Sequence, residues 1–537
     1  MKITKNIVEK YPIKKNLIHI LIISVITLIA YMPSFNNGFT NWDDQEYVSN
    51  NKQIQKLSKQ SITKQFKSFH MGNYHPITML SYTIEYHFAE LNPKIYHTTN
   101  FIIHLLNAGL VYFFIYWLCN NMTIAFITAL LFSIHPMHVE SVAWVAERKD
   151  VLYTFFYFLS LCLYIQYVKN KRTIFYLFVF VAYLLSILSK GVAVTLPVIM
   201  LLTDYYLKKK INRKDVLQKL PFFILSIVFG IIAIKAQESA KALGDIKTYS
   251  IVERFLFLSY SIIIYLWKLV APFNLSAFYD YPLKKDNLYP AIFYAAPVLL
   301  AIVGFGLYKL IKTGVEAIYG LAFFFITLLL VLQIVPVGGA IISDRYTYVP
   351  YVGIFFILAH AINSALEKGA VFLGKHRNFI KPITLAYLLM LISLTYNRCK
   401  IWKDSITLWN NVIEQTTTSP KAYNNRGDAY NIAKQYDLAL KDLNRTIELK
   451  YDYAEALYNR GLCYYYLGKY DNAITDYDAA IKYDPQLAVA YFNRSGTYYA
   501  LKKYDIALQD ALKAKELGKD VDPKYIEALQ AGMKNNF

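Results

Sequence analysis

Apolar residues in this chain gather into runs separated by short polar connections, and the runs stop near residue 396. Segments 17–33, 100–118, 151–168, 175–188, 222–234, 291–310, 318–336, 351–362 and 384–396 approach the roughly 20 apolar residues that a bilayer-spanning helix needs. Another run ends at Ile134, and one more follows Lys190. After residue 420 the pattern changes to short amphipathic segments that repeat every 34 residues. Together these patterns predict an all-α protein: a polytopic membrane bundle of about eleven spans, then a helical repeat array.

Topology follows from where the lysines lie. Lys2, Lys5, Lys10, Lys14 and Lys15 precede the first run, which has no small-residue cleavage site after it and reads as an uncleaved first span. With that end in the cytoplasm, the basic clusters 169–172 and 208–214 fall on the same side, as the positive-inside rule asks. Clusters 309–312 and 368–381 also prefer the cytoplasm, so one of the apolar segments 222–234 and 255–271 must not cross. Segment 255–271 follows Glu253 and Arg254 and carries Tyr260, Tyr265, Trp267 and Lys268, which suits an interfacial or re-entrant helix. The repeats then face the extracytoplasmic side of what, in a bacterium, is the inner (cytoplasmic) membrane. If the segment does cross, the repeats become cytoplasmic.

Composition narrows the class. Of 537 residues 56% are apolar, too many for a set of soluble domains. A formal charge of +20 would suit nucleic acid, but the cations flank apolar runs and no RNA-binding motif accompanies them, so nucleic acid is not expected as a partner. Cys119, Cys162, Cys399 and Cys463 form no CxxC pair and imply neither a disulfide framework nor a zinc site.

The repeats advance by 34 at Asn425-Arg426, Asn459-Arg460 and Asn493-Arg494, and again at Tyr436-Asp437, Tyr470-Asp471 and Tyr504-Asp505. This is the tetratricopeptide period, and Gly427, Gly461, Tyr430, Tyr464, Tyr498, Ala439, Ala473, Ala507 and Pro485 occupy its packing positions. The third repeat has Ser495 in place of the glycine, which is expected to loosen that helix contact slightly. The reading divides the chain into a membrane domain (1–398, with an outer loop at 34–98), a linker with a degenerate half-repeat (399–421), and three repeats plus a capping helix (422–537). Asn425, Asn459 and Asn493 are expected to line the concave groove as an amide ladder for an extended peptide. Ordinary helix-surface polarity is the alternative.

Charged and polar groups concentrate where the runs meet the outer side. Asp43 and Asp44 follow the first span directly, suited to taking a proton from a hydroxyl, binding a divalent cation or orienting a sugar, with a solvated helix cap as the plain alternative. His75 comes next, then His97, Asn100 and His104, which share one helical face at spacings of three and four. Ordinary hydrogen bonding satisfies such residues at least as well as a metal. His135, His138, Glu140, Glu147, Arg148, Lys149 and Asp150 are interleaved with apolar residues, and ionisable groups at membrane depth are costly and usually functional. Lys190, Asp344 and Arg345 complete the set. An acidic pair and several cations at one membrane face are what transfer from a phosphate-linked lipid requires.

These stretches (42–50, 75–80, 91–100, 135–143 with 148–150, 189–190 and 344–350) resemble the transmembrane and tetratricopeptide-repeat-containing (TMTC) proteins, related to protein O-mannosyltransferases of the GT-C glycosyltransferase fold. The resemblance covers nearly the whole chain. His75 stands where the animal members have arginine, and Lys149 where they have a small residue. The resemblance implies a GT-C-type membrane domain, a polyprenyl-phosphate-linked sugar donor with mannose as the candidate sugar, an acidic motif at Asp43 and Asp44, and an outer-facing repeat domain.

The combined reading is an integral-membrane glycosyltransferase that moves a sugar from a polyprenyl phosphate to an extracytoplasmic acceptor, a protein hydroxyl bound by the repeats. Asp43 or Asp44 is the expected base, and Arg345, Lys190 and Arg148, in that order, the donor-phosphate ligands. Its expected partners are the lipid-linked sugar, membrane lipid and an acceptor protein, with a divalent cation as the candidate cofactor. A membrane-anchored scaffold for protein-complex assembly is the alternative, and a transporter a weaker one, because the ionisable residues gather at one face.

Overall fold

The computed structural model describes residues 13–208, 210–240, 249–332, 339–367 and 377–535. Lys2, Lys5, Lys10, Lys209, positions 333–336 of the run 318–336 and most of the basic cluster 368–381 lie outside the described residues. Two compact units divide the chain, Met1–Lys403 and Asp404–Phe537.

The first unit is a helical bundle. Lys14–Asn36, Pro93–Cys119, Val145–Asn170, Gly191–Lys208, Leu220–Ser239 and Ala291–Ile311 are each long and apolar enough to cross a membrane. Met122–Ile134 and Pro136–Ala143 form a bent pair with 57° between them, and Thr173–Ser189, Val315–Val331 and Tyr351–Glu367 are shorter apolar helices. Arg377–Ile401 is the last helix of the unit. Leu17, Ile227 and Ile302 are 63%, 64% and 63% exposed, an apolar outer face that lipid suits and water does not. Inside, the helices Val315–Leu328 and Tyr351–Glu367 cross at Gly320 and Gly353, where a Cβ on either glycine would overlap the other's carbonyl oxygen. Small residues at crossings are how membrane helices approach closely.

These helices alternate between two ends. At one, Lys169 Nζ donates to the Trp117 carbonyl at 2.6 Å, Lys208 pairs with Asp204 at 3.0 Å and Asp215 at 2.6 Å, and buried Lys219 pairs with Asp204. The predicted cytoplasmic clusters 169–172 and 208–214 belong to this end. At the other, here the site end, the loops 32–92, 135–147, 190–195, 271–290 and 339–350 meet.

Helix Ile251–Val270 is not among those apolar enough to cross. A capping box starts it, with Ser250 Oγ accepting from Glu253 N at 3.2 Å and Glu253 Oε2 from Ser250 N at 2.7 Å. Its first half packs on Tyr281, Tyr289 and Phe293. Its second half reaches the site end, where His135 bonds the Leu269 carbonyl at 3.0 Å and Tyr351 donates to the Tyr265 carbonyl at 2.6 Å.

In the second unit, helix Ser405–Gln415 precedes three helix pairs, Pro420–Ile432 with Tyr436–Leu449, Ala454–Tyr466 with Tyr470–Tyr483, and Ala488–Ala500 with Tyr504–Glu516, and Pro523–Asn535 follows them. One arginine per repeat ties three successive helices. Arg426 forks onto Asp442 at 2.6 and 2.7 Å and donates back to Asn410 at 2.8 Å. Arg460 does the same with Asp476 and Asn444, and Arg494 with Asp510 and Asp478. The planar guanidinium makes this bidentate geometry possible.

Ser495 corrects the loosening expected of the third repeat. A Cβ on Gly427 or Gly461 would come within 2.8 Å of Leu443 or Tyr477. Ala511 stands at the equivalent place in the third repeat, and Ser495 Oγ donates to the Ala507 carbonyl at 2.6 Å and lies 2.9 Å from the Tyr525 hydroxyl. The larger residue on one helix meets a smaller one on the next, and its hydroxyl is satisfied.

Candidate active site

The acidic pair follows the 3₁₀ turn Met32–Asn36, where the chain leaves the first helix, and its two members have different surroundings. Asp44 is buried at 1% exposure. Its Oδ2 accepts from the Thr40 N–H at 2.8 Å and the Thr40 hydroxyl at 3.0 Å, and its Oδ1 from the Ala146 N–H at 2.8 Å. Burial pushes its carboxyl up to about 7 against the pull of those three bonds. Asp44 therefore ties the first loop to segment 144–147. Asp43 is half-buried, and its carbonyl accepts from Tyr47 N at 3.0 Å as the chain enters the turn Gln45–Ser49.

Three cations converge beside this loop on one carboxylate. Glu147, 2% exposed, is approached by Lys149 at 3.1 Å, Arg345 Nε at 3.3 Å and Lys190 at 3.5 Å. Arg345 also pairs with Glu140, and Lys190 with Asp150 at 2.5 Å. Ser141 Oγ donates to the other Asp150 oxygen at 3.2 Å. Lys190 and Arg345 side chains keep 16% exposure each, so both reach the surface of the cluster. The buried charges are matched in pairs, as charges away from water must be.

Arg148 stands apart from that cluster. Its side chain is 1% exposed and reaches Glu85 at 2.8 Å, the Tyr96 carbonyl at 3.0 Å and Asn100 Oδ1. Glu85 accepts also from Thr99 at 2.5 Å. Arg148 locks helices Pro76–Ala89, Pro93–Cys119 and Arg148–Asn170 together through its Nε and Nη2.

His97, Asn100 and His104 share one face of Pro93–Cys119, and each holds a backbone. His97 Nε2 lies 3.2 Å from the Gly38 carbonyl, Asn100 donates to the Val142 and Trp144 carbonyls at 3.3 and 3.2 Å, and His104 bonds the Ser133 carbonyl at 3.0 Å and Tyr348 at 2.6 Å. His138 Nδ1 bonds the Phe132 carbonyl at 2.8 Å. Asp344 accepts from Tyr279 at 2.8 Å and faces Arg398 at 3.5 Å. These polar residues fasten helix ends and connecting segments to one another at the site end. Among the described residues no three His, Cys, Asp or Glu side chains come together as a metal site, so the residues present do not fit the divalent cation considered from sequence.

Three residues outside the sequence-derived assignments prove central: Glu85, Tyr47 and Arg398. Glu85 is the one acidic or Lys/Arg residue in helix Pro76–Ala89, and that lone charge was the available signal. Aromatic packing also joins distant segments. Trp144 stacks on Trp42 at 4.3 Å and on Trp402 at 5.4 Å between ring centroids.

In the repeat unit the amide ladder is engaged between repeats. Asn459 Nδ2 donates to Asn424 Oδ1 at 3.0 Å, and Asn493 Nδ2 to the Tyr458 hydroxyl at 2.9 Å, each reaching back 35 residues. Next to it a cavity of about 330 Å³ is lined by Leu462, Tyr465, Tyr466, Tyr477, Phe492, Asn493, Gly496, Tyr499 and Tyr525. A Cβ on Gly496 would meet nothing within 4 Å.

The tetratricopeptide-repeat family matches residues 420–453 and 454–487. Protein O-mannosyl-transferase F38B6.6 of Caenorhabditis elegans is 25% identical over 76% of this chain and 59% of its own length, and protein O-mannosyl-transferase TMTC3 of Mus musculus is 22% identical over 78% and 50%. Over most of its length the chain is similar to these protein O-mannosyl-transferases. It spans between half and three-fifths of the length of those curated relatives. Among solved structures, an Archaeoglobus fulgidus oligosaccharyltransferase tethered with an acceptor peptide aligns over 79% of this chain and 58% of its own, at 12% identity and a TM-score of 0.43. YrrB, described as a TPR protein with an unusual peptide-binding site, aligns over 32% of this chain and 87% of its own, at 24% identity and a TM-score of 0.21.

Proposed function

We propose that this protein is an integral-membrane glycosyltransferase that moves a sugar, mannose by analogy with its relatives, from a polyprenyl-phosphate donor to a protein hydroxyl on the extracytoplasmic side. One observation carries the reading: a half-buried carboxylate, Asp43, shares the site end with Lys149, Lys190 and Arg345. Asp43 takes the proton of the acceptor hydroxyl as its oxygen bonds to the anomeric carbon. The bond from that carbon to the phosphate oxygen breaks, and the lipid phosphate leaves with one more negative charge than the donor carried. Arg345, Lys190 and Lys149 offset that charge.

Arg345 and Lys190 retain their assigned role because their side chains reach the cluster surface. Lys149 replaces Arg148, whose donors are bound to Glu85, Asn100 and Tyr96. The chain leaves the membrane unit at Lys403, whose carbonyl accepts from Gly38 N at 2.8 Å. That exit supports an extracytoplasmic repeat unit, whose own aromatic cavity at Tyr466, Phe492 and Tyr499 is suited to an acceptor peptide. In a bacterial cell this is the outer side of the inner membrane.

The test supplies radiolabelled polyprenyl-phosphate sugars to membranes containing wild type or Asp43→Asn and follows label into protein. Label with wild type and none with a folded variant supports the reading. Equal label in both, or none above empty membranes with any donor, favours the membrane-anchored scaffold. The closed charge pairs Lys190–Asp150 and Arg345–Glu140 fit that scaffold reading equally well, as staples of a bundle.

A further inference from the structure

Three buried polar atoms beside Asp43 have no hydrogen-bond partner: the Tyr47 hydroxyl, His70 Nε2 and His75 Nε2. Their rings close a triangle, with centroids 4.9 Å apart from Tyr47 to His70, 5.4 Å from Tyr47 to His75 and 6.2 Å from His70 to His75. Tyr47 and His75 are 0% and 3% exposed. Each buried polar atom without a partner costs about 1–3 kcal/mol, so three in one place call for a ligand or another explanation.

The backbone holds this triangle firmly. His70 and Asn73 exchange backbone hydrogen bonds at 2.8 and 2.9 Å across Met71 and Gly72, which both have positive φ (46° and 70°). Gln237 donates to the Gly72 carbonyl at 2.7 Å and fastens that turn to helix Leu220–Ser239. His75 directly precedes Pro76, the first residue of Pro76–Ala89, and its side chain caps nothing there. Strain and anchoring of this kind mark positions whose exact placement is used.

Location indicates the ligand class. Tyr47 sits one helical turn after Asp43, and Lys149 Nζ is 4.6 Å from the Tyr47 ring centroid. A group handed from a phosphate at the cations to an acceptor at Asp43 lies beside the triangle. Burial, with the Lys149 charge as a lesser cause at each, holds the imidazoles of His70 and His75 below their ordinary range, so both are neutral at pH 7. A phenol and two neutral imidazoles both give and accept hydrogen bonds, which suits hydroxyl groups and not a second phosphate.

We propose that Tyr47, His70 and His75 bind the hydroxyls of the sugar being transferred and set which hexose the site accepts. This assignment rests on the glycosyltransferase reading above. The test compares binding of polyprenyl phosphate with and without a hexose to full-length wild type, Tyr47→Phe and His75→Gln, and measures preference between epimeric hexose donors. Both variants are expected to bind the sugar-bearing lipid about five- to tenfold more weakly, to bind bare polyprenyl phosphate as wild type does, and to discriminate less between epimers. Wild-type affinity and wild-type preference in both variants overturn the proposal, as does an equal loss for both lipids. It also falls if wild type binds the two lipids equally. Failure of wild type to transfer any sugar, while it still binds the hexose lipid selectively, counts against the activity reading and leaves the binding assignment standing.

Discussion

Trp402, which follows the last helix of the membrane unit, lies parallel to Trp42 of the acidic loop, with 3° between ring planes and centroids 6.4 Å apart. Trp144 stacks on both. The residue preceding Asp43 is thus fixed by side chains from two other parts of the chain. Trp402→Ala is expected to cost about 3–5 kcal/mol and Trp402→Phe clearly less, read by thermal unfolding in detergent. Equal stability of the two variants would show that an aromatic ring at this place contributes nothing.

The two aspartates should separate cleanly. Asp43→Asn is expected to remove transfer and leave the melting temperature within a degree or two, because its side chain is half-buried. Asp44→Asn keeps one acceptor oxygen and turns an NH2 toward either Thr40 or the Ala146 N–H, and is expected to lower stability by about 2–3 kcal/mol. Measuring melting and transfer on the same preparations decides it. A stable, inactive Asp44 variant beside an active Asp43 variant would reverse the assignment.

Asp44 also predicts a pH dependence. In the unfolded chain its carboxyl titrates at about 4, and burial in the fold pushes it up to about 7. The folded protein therefore holds a proton that the unfolded chain releases. Its contribution to stability is complete below about pH 4 and is lost as pH rises to about 7. The stability advantage of wild type over Asp44→Asn should narrow across that window, read as melting temperature against pH. Parallel curves would place the titration elsewhere.

Arg148 is expected to be a structural residue. Arg148→Ala leaves Glu85 buried with no cation and should cost about 3–5 kcal/mol, while Arg148→Lys restores charge but not the fork that reaches Glu85, Asn100 and Tyr96 together. Lipid-phosphate affinity in folded Arg148→Lys should match wild type. A selective loss of that affinity, with stability intact, would return Arg148 to the donor site.

In the repeats, Gly461→Ala drives a methyl into the Tyr477 ring and is expected to destabilise by about 1–3 kcal/mol. Ser495→Gly, opposite Ala511, removes a satisfied hydroxyl and should cost about 1 kcal/mol. Chemical denaturation of the full chain, followed through repeat-unit signals, orders the two. A milder effect at Gly461 would contradict the close approach seen there.

Much of this architecture was legible because it is written in periodic or clustered residues. Apolar runs and a 34-residue register each have a local signature, and Glu253, Arg254 and Lys268 set helix Ile251–Val270 apart from the long apolar helices. The division of labour within the site was not legible. Asp43 and Asp44 are chemically identical neighbours, and what separates them is the fold: burial of Asp44, its bonds from Thr40, and a bond from the Ala146 N–H 102 residues away. Arg148 looked like a phosphate ligand because Glu85 reaches it from a helix 63 residues earlier. Asn459 and Asn493 looked available because the partners that occupy them belong to the preceding repeat.

The arginine forks of the repeat unit constrain how such an array can change in length. Each guanidinium bonds sixteen residues ahead and sixteen behind, so an insertion of a few residues within a helix pair misplaces one partner or the other. Whole 34-residue units can be added or removed with every fork intact. The spacing therefore permits lineages to shorten or extend the array by duplication and loss of complete repeats, while penalising every intermediate length.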